Sequence, residues 1–387
     1  MIRNISIGID LGSQTTRVVV GEFLKGEKNP KVIGIGESTT NGIRHGYIIN
    51  KIDAVNSLKK AVLNAEKSSG VKITRAFLAM GGVTLRSEIN SGMAVVSKAD
   101  GEVTSLDIEK ALHNSENNIK TDNKKIIQVF PIGFKLDGKE VLGRPEGMRG
   151  TKLEVKSIFV TCSNRHFEDL IEVVSTAGIE IVDVIASPIS SSYVTLSERQ
   201  KIVGVALVNI GAETVSLSVF ENGNLISLHT FSLGGADITN DIALGLKISI
   251  EEADNLKLGN TSIEFSKKKL DEIIEARLSD IFELIENHLK KIKRNELLPA
   301  GIVWIGASSA IPKLEDLSKN TLKLPSKIGS TEMFENIKTK LKDPAWFTAL
   351  GLIISTKDNK KYTEGSFANL FLELKNSMKT MLKQLMP

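Results

Sequence analysis

Cysteine is almost absent from this chain of 387 residues, and Cys162 is the only one. A single cysteine excludes an intramolecular disulfide and favours a reducing compartment. Because Cys162 lies in the strand-like stretch SIFVTC, we expect it to be a small buried side chain. Long apolar runs are also missing, since none approaches the roughly 18 residues that a membrane span needs. Asp10 interrupts the first apolar stretch and no cleavage site follows, so we expect a cytoplasmic protein without a signal peptide.

An excess of one charge sign is missing as well. Lys and Arg number 50 against 46 Asp and Glu, which is too balanced for the basic face of a nucleic-acid-binding protein. The sequence has no G-x-x-x-x-G-K-[ST] loop, no complete dinucleotide fingerprint and no G-x-S-x-G turn. The five histidines are scattered without metal-ligand spacing, so we expect them to be surface or packing residues.

What the chain does contain is an alternation of strands and helices in two blocks. In the first block the apolar spacing predicts strands and a helix, and the chain then changes character at about residue 83. The stretch to residue 160 has the length and mixture of a small α+β insertion, after which the alternation resumes. The predicted elements before residue 200 are strands at 5–9, 16–23, 32–38, 75–80, 91–97, 125–136 and 179–186 and helices at 53–69, 105–118, 167–177 and 188–197.

A polar hairpin occurs twice. The first copy is IGIDLGSQTTRVVVGEF and the second is ALVNIGAETVSLSVFEN. Asp10 aligns with Asn209, Gly12 with Gly211 and Thr15 with Thr214, and both copies end in a β-branched strand. Two such hairpins in register, each opening an α/β block, predict two similar halves.

The repeated turn has the composition of a phosphate site. Glycine lets the backbone approach a ligand, and successive N–H groups with Ser or Thr hydroxyls bind anions. Two facing turns would clamp a phosphate chain from both sides. Asp10 fits the carboxylate that stands beside Mg²⁺, usually through water, and is the candidate catalytic and metal-binding residue. The alternative is that Asp10 only makes an Asx-type turn.

Two further glycine-rich turns fit the same cleft. Gly234 and Gly235 precede a helix, and a second turn, from Gly306 through Ala307 and Ser308, follows a strand. A helix N-terminus with small residues receives a sugar or phosphate closely. Asp254 and Lys257 share a helix face and would hold a ribose hydroxyl and the adenine edge. The alternative for that pair is an ordinary solvated ion pair.

These motifs together resemble the actin/sugar-kinase/heat-shock-chaperone ATPase superfamily and, within it, the FtsA family of bacterial cell-division proteins. The resemblance covers nearly the whole chain. The stretches that carry it are IGIDLGSQTTRVVV, NGIRHGYIINKIDAV, QVFPIGFKLDGKEVLGRPEGMRGTKLEV, IFVTCSNRHFEDLIEVVSTAGIEIVDVIASPISSSYVTL, FSLGGADITNDIALGLKISIEEADNLKLGN and IGASSAIPKL.

The resemblance implies an α/β fold of the actin-like (ribonuclease H-like) type, with two lobes and a small α+β inserted subdomain. The implied divisions are a first lobe core at 1–82 and 161–200, the insertion at 83–160, a second lobe core at 201–240 and 300–356, a second-lobe subdomain at 241–299, a linker at 357–366 and an amphipathic membrane-targeting helix at 367–387.

ATP with Mg²⁺ between the lobes is the implied ligand. Head-to-tail filaments and attachment of the FtsZ ring to the membrane at the division site are the implied functions. The implied partners are the FtsZ C-terminal peptide, other divisome proteins and further copies of the chain. The implied nucleotide-binding residues are Asp10, Gly12, Ser13, Gln14, Thr15, Thr16, Asn209, Gly211, Ala212, Glu213, Thr214, Gly234, Gly235, Asp254, Lys257, Gly306, Ala307 and Ser308.

The second loop departs from the usual D-I-G-G-G-T-x-D. Asn209 replaces an acid, Glu213 a glycine, and Ser216 the closing acid. Losing a carboxylate weakens the binding of Mg²⁺ and the activation of water. The carboxylate of Glu213 repels phosphates unless it points away or reaches the metal. We therefore expect ATP binding with slow or absent hydrolysis.

The tail predicts a membrane-surface helix. After the charged stretch KDNKKYTEGS, apolar residues fall in one arc of a helical projection with three lysines beside it, a pattern typical of a helix in an anionic membrane interface. The alternative is a helix that docks on the body or on another helix. The proposed membrane-binding residues are Phe367, Leu370, Phe371, Leu374, Lys375, Met378, Lys379, Met381, Leu382, Lys383 and Leu385.

Two other functions compete with this interpretation. A small-molecule kinase of the same superfamily is disfavoured by the altered second loop and by the tail. PilM, the actin-like pilus-assembly protein, has a similar second loop but is not expected to carry the membrane helix. For the FtsZ peptide we expect a site in residues 238–298, where the basic run HLKKIKR offers a carboxylate contact. The alternative for that run is a helix end favoured by the helix dipole.

Overall fold

The computed structural model describes residues 4–27, 29–119, 122–260, 266–331, 333–334 and 339–363. The chain divides into two compact units. Of the described residues, the first unit comprises those within 4–88, 123–128 and 160–353, and the second comprises those within 89–122, 129–159 and 354–363.

The first block of the chain forms the strands and helix that the apolar alternation predicts. Asn50 caps the helix by accepting a hydrogen bond from the Asp53 backbone N–H, and Gly70 ends it in the left-handed conformation. The elements are β1 (Asn4–Leu11), β2 (Thr15–Phe23), β3 (Lys31–Thr39), β4 (Ile43–Arg44), β5 (Tyr47–Ile48), α1 (Lys51–Ser69) and β6 (Arg75–Met80).

The following segment contains a four-stranded arrangement in the order β7-β10-β8-β9, with one helix. Asp137 and Gly138, both at positive φ, make the predicted turn between β8 and β9. Thr104 and Asp107 form a capping box at the start of the helix. The elements are β7 (Arg86–Val95), α2 (Ser105–Asn117), β8 (Lys124–Leu136), β9 (Lys139–Val141) and β10 (Lys152–Ser163).

The chain then completes the first sheet, whose strand order is β11-β6-β1-β2-β3. Cys162 is buried as expected, and burial raises the pKa of its thiol to about 12. The elements added here are α3 (Asn164–Thr176), β11 (Glu180–Ala186), α4 (Ser187–Thr195) and α5 (Glu198–Val203).

The second copy of the hairpin belongs to a second sheet, whose strands that lie wholly in the first compact unit have the order β16-β15-β12-β13-β14. Its face packs on helices around a core that includes Phe282 and Trp304, with ring centroids 5.7 Å apart. The elements are β12 (Val205–Ile210), β13 (Val215–Glu221), β14 (Asn224–Phe231), α6 (Gly235–Leu246), α7 (Ile250–Lys257), α8 (Lys267–Lys291), β15 (Ile302–Ile305), α9 (Leu314–Leu322), β16 (Ser326–Ile328) and α10 (Phe347–Thr363).

Helix α10 corrects one expectation. It continues to Thr363 and therefore runs through residues 357–363, which the sequence predicts as part of an irregular linker. The reason is that no glycine or proline interrupts the polar residues that follow the buried first turns of the helix, and Gly365 is the first such residue. The predicted membrane-binding residues, from Phe367 to Leu385, lie outside the described residues.

Candidate functional site

The first polar turn joins β1 to β2. The Gly12 backbone N–H donates a hydrogen bond of 3.2 Å to the Thr15 carbonyl oxygen, which closes the turn tightly. A Cβ atom added to Gly12 would stand 2.8 Å from that oxygen, so a side chain here requires the turn to move. Thr16 is buried in β2, where its Oγ1 atom lies 2.7 Å from Oγ1 of Thr40.

The second polar turn joins β12 to β13 and repeats the first. The Gly211 backbone N–H donates to the Thr214 carbonyl oxygen at 2.9 Å, the equivalent bond to that from Gly12. The strand registers match as well, because Asp10 pairs with Arg17 as Asn209 pairs with Ser216. The internal repeat that the sequence predicts is therefore present in the structure.

Both turns line one cleft in the first compact unit. Twelve of the predicted site residues are among its lining. They are Asp10, Gly12, Ser13, Gln14, Thr15, Asn209, Gly211, Ala212, Glu213, Thr214, Gly306 and Ala307. The other six predicted residues do not line that cleft and are Thr16, Gly234, Gly235, Asp254, Lys257 and Ser308.

Gly234 and Gly235 instead support the second turn from behind. The Gly235 backbone N–H donates to the Gly211 carbonyl oxygen at 2.9 Å, and that of Ala236 donates to Ala212 at 2.7 Å. A Cβ atom on Gly235 would stand 1.8 Å from Oγ of Ser308. Because Gly235 has no side chain, α6 can begin directly against the second polar turn and Ser308.

Asp254 and Lys257 form an ion pair, but the solvated alternative is wrong for Lys257, whose side chain is 6% exposed. Its Nζ atom donates to Asp254 Oδ1 at 2.5 Å, to Thr239 Oγ1 at 2.8 Å and to the Gly235 carbonyl oxygen at 3.2 Å. Burial acts to raise the pKa of Asp254, but the hydrogen bond and charge of Lys257 outweigh it and the pKa is lowered. In this arrangement the lysine braces the first turn of α6.

Asp10 and Arg17 form the charged floor of the cleft. Burial raises the pKa of Asp10 to about 6, and the positive charge of Arg17 opposes that rise. Among the described residues, Arg17 Nε is one of the few buried side-chain atoms with no hydrogen-bond partner, and Thr230 Oγ1 is another. Both residues line the cleft. Sequence reasoning missed Arg17, although it is the cross-strand partner of Asp10.

A short loop after β3 adds further residues that sequence reasoning missed. His166 Nε2 lies 2.6 Å from the Gly46 carbonyl oxygen, and its Nδ1 lies 2.8 Å from Oγ1 of Thr84. The Gly46 backbone N–H donates to Ser13 Oγ at 3.2 Å. Burial lowers the pKa of His166, which favours the neutral ring. The sequence signals for this loop are the Gly42 and Gly46 pair and its place in the stretch NGIRHGYIINKIDAV, which carries part of the family resemblance.

The cleft has the donor set for a phosphate chain. It combines two glycine turns, the hydroxyls of Ser13, Thr15 and Thr214, and a guanidinium whose Nε is unpaired among the described residues. For a metal it offers less, because no cluster of three His, Cys, Asp or Glu suited to a metal ion occurs in the described part of the chain. A divalent cation here would depend on Asp10, water and oxygens of the ligand itself.

Comparison with protein families gives two matches. The model for cell division protein FtsA matches residues 206–351, and the model for the SHS2 domain inserted in FTSA matches residues 82–161. Together they cover more than half of the chain. The chain is 29% identical to cell division protein FtsA of Bacillus subtilis (strain 168) over 369 residues, which are 90% of this chain and 82% of the relative.

Solved structures are similar over most of the chain. A structure of the PilM-PilN type IV pilus biogenesis complex aligns with a TM-score of 0.68 and 16% identity, covering 90% of this chain and 98% of its own. MreB 5 of Spiroplasma citri bound to AMPPNP aligns with a TM-score of 0.56 and 13% identity, covering 94% and 99%. These likenesses confirm the predicted actin-like fold. Within the described residues, no helix is both long and apolar enough to cross a membrane.

Proposed function

Because the chain belongs to the FtsA family of cell division proteins, we propose that it is an ATP-binding, actin-like protein that polymerises on the cytoplasmic face of the cell membrane and tethers the FtsZ ring there. The observation that carries the nucleotide part of this proposal is the pair of equivalent turns, closed by Gly12 and Gly211, that line one cleft. The match to the inserted SHS2 domain favours this function over that of a PilM-type pilus protein.

ATP supplies this site with a phosphate chain, and Mg²⁺ offsets the negative charge of that chain. In our proposal the backbone of the two turns and the hydroxyls of Ser13 and Thr214 bind the phosphates. Arg17 contributes the fixed positive charge at the floor. Asp10 would orient a water beside bound Mg²⁺, and the charge of the ion would oppose the burial that raises the pKa of Asp10 to about 6. Gly234, Gly235 and Ser308 shape the adjoining adenosine region.

Membrane attachment is proposed from the sequence of residues 367–387. Fully burying eight apolar side chains would contribute on the order of 10 kcal/mol. Partial insertion and the ordering of about twenty residues offset much of that. A single tail should therefore bind weakly, with help from anionic lipids, and a filament should bind strongly because it aligns many tails.

Cosedimentation of the full chain with anionic vesicles, with and without ATP, tests the attachment. Phe371→Glu puts a charge in the centre of the apolar arc and should release the protein while leaving nucleotide binding intact. Asn376→Glu is the matched control, because it adds the same charge on the opposite face of the projected helix. Equal sedimentation of wild type and the Phe371 variant would show that this helix is not the membrane anchor.

The FtsZ C-terminal peptide is proposed to bind within residues 238–298. Part of the basic run there is already engaged, since Arg294 Nη2 lies 2.6 Å from Glu221 Oε2. Lys291 and Lys293 are exposed and remain available for a carboxylate of the peptide. Crosslinking of a labelled peptide should map to 238–298, and exclusive crosslinking to residues 83–160 would overturn the location.

A further inference from the structure

Glu213 connects the turn after β12 to the loop after β3. Its Oε2 atom accepts a hydrogen bond of 2.6 Å from the His45 backbone N–H, and its Oε1 atom lies 3.5 Å from Nε of Arg44. The backbone joins the same contact, because the Glu213 carbonyl oxygen lies 2.9 Å from Nδ1 of His45. One residue of the second sheet's turn thus makes three polar contacts with β4 and the residue that follows it.

The segment that Glu213 contacts, residues 41–46, includes β4 and is also held in place by contacts that do not involve Glu213. Its backbone has positive φ at Gly42, His45 and Gly46, and 49° at His45 is a conformation that a residue with a side chain rarely adopts. A Cβ atom on Gly46 would stand 2.4 Å from Cα of Gly82. With His166 and Ser13 also bonded to Gly46, the loop has little freedom to follow a departing partner.

The carboxylate is therefore held by a rigid anion-binding backbone. Only 19% of the Glu213 side chain is exposed, which strengthens a charge-assisted hydrogen bond relative to one in water. The contact lies at the cleft, because Ser13, Gly46 and Glu213 are all among the residues that line it. A motion that separates the second turn from residues 44–46 must break these bonds.

We propose that Glu213 tethers the second phosphate-binding turn, through residues 44–46, to Ser13 of the first turn and that it slows the release of bound nucleotide by holding the two turns together. The second half of this proposal rests on the proposed ATP binding. The first half concerns only atoms of the protein. Glu213 acts here as a positioning residue, because its carboxylate is committed to His45 and Arg44.

Hydrogen exchange of the full chain without nucleotide tests the tether itself. Glu213→Ala removes the acceptor and should speed exchange of the amides in residues 41–46 roughly tenfold, the ratio expected for loss of one charge-assisted hydrogen bond. Glu213→Gln keeps the shape and an acceptor oxygen, so it should give a smaller increase and covers the case in which the alanine variant does not fold. Unchanged exchange in both variants would overturn the proposal.

Glu221→Ala is the matched control. Glu221 is a similarly buried glutamate that pairs with Arg294 and lies at the end of β13 remote from the second phosphate-binding turn. Its loss should leave exchange in residues 41–46 unchanged. Equal acceleration by this variant would mean that general destabilisation is being measured, which would also overturn the tether.

Dissociation of a fluorescent ATP analogue with Mg²⁺ tests the second half. Glu213→Ala should release the analogue several-fold faster, and Glu221→Ala at the wild-type rate. A slower or unchanged release from Glu213→Ala would overturn the effect on nucleotide. If wild type binds no nucleotide at all, the proposed function fails, whereas the exchange measurement still decides whether the tether exists.

Discussion

A Cβ atom added to Gly306 would stand only 2.2 Å from Oδ1 of Asn209. Gly306 has a φ of 91°, and the register of β12 with β15 places Asn209 opposite Ile305, just before it. The amide of Asn209 is thus packed at the end of β12 by a glycine turn of the neighbouring strand. It occupies the place equivalent to Asp10, but it carries no charge with which to bind a metal-bound water.

We therefore expect slow ATP hydrolysis, well below the ~10 s⁻¹ that is typical of enzymes. Asn209→Asp restores a carboxylate of nearly the same shape and should raise the rate at least about tenfold, if Mg²⁺ offsets its charge. Steady-state phosphate release measures both rates. Asn224→Asp, at the start of β14, is the control and should leave the rate unchanged. Wild-type turnover near the typical value would contradict the expectation.

Gly12→Val should abolish ATP binding. The first side-chain carbon already meets the Thr15 carbonyl oxygen at 2.8 Å, so a branched side chain must open the turn that carries the phosphate donors. Calorimetric titration with ATP and Mg²⁺ measures the loss. Gly133→Val is the comparison, because an added Cβ there meets no atom within 4 Å. Unchanged affinity in the Gly12 variant would remove the first turn from the phosphate site.

The sequence predicts the two hairpins well because their signal is local: β-branched alternation on either side of a polar turn. Arg17 escapes the same reasoning, since its role depends on pairing across the hairpin with Asp10 and on a cleft that a second, distant turn completes. The spacing of Asp254 and Lys257 predicts that they share a face. That spacing contains no information on Gly235, whose carbonyl oxygen accepts a hydrogen bond from the buried lysine.

Lys257→Met tests the bracing role of that lysine. The variant removes the buried Nζ donor to the Gly235 carbonyl oxygen and Thr239 and leaves Asp254 without its ion-pair partner, so we expect a loss of about 1–3 kcal/mol in the free energy of unfolding. Urea denaturation measures it. Lys290→Met removes an exposed i,i+4 pair with Glu286 and should cost less than about 0.5 kcal/mol. Equal effects of the two substitutions would contradict a buried brace.

Stability should fall in mild acid because of a pair of stacked histidines. His229 and His288 have ring centroids 4.9 Å apart, and Ser227 Oγ lies 2.8 Å from Nε2 of His288. Burial, together with the charges of His229 and Lys291, lowers the pKa of His288 to about 4. Burial, with Lys291 and Arg86 nearby, also lowers the pKa of His229.

The direction of this pH effect follows from which state, folded or unfolded, binds the protons. The unfolded chain protonates these rings near pH 6.5, whereas folded His288 stays neutral until about pH 4, so the unfolded state gains stability as the pH falls between those values. From pH 7 to pH 5.5 we expect the protonation of His288 to lower the free energy of unfolding by about 1 kcal/mol.

His288→Phe keeps a ring in the stack and should remove that part of the pH dependence. His113→Phe, at an exposed position on α2, should retain it. Urea denaturation at both pH values decides, and an equal pH dependence in wild type and the His288 variant would contradict the assignment.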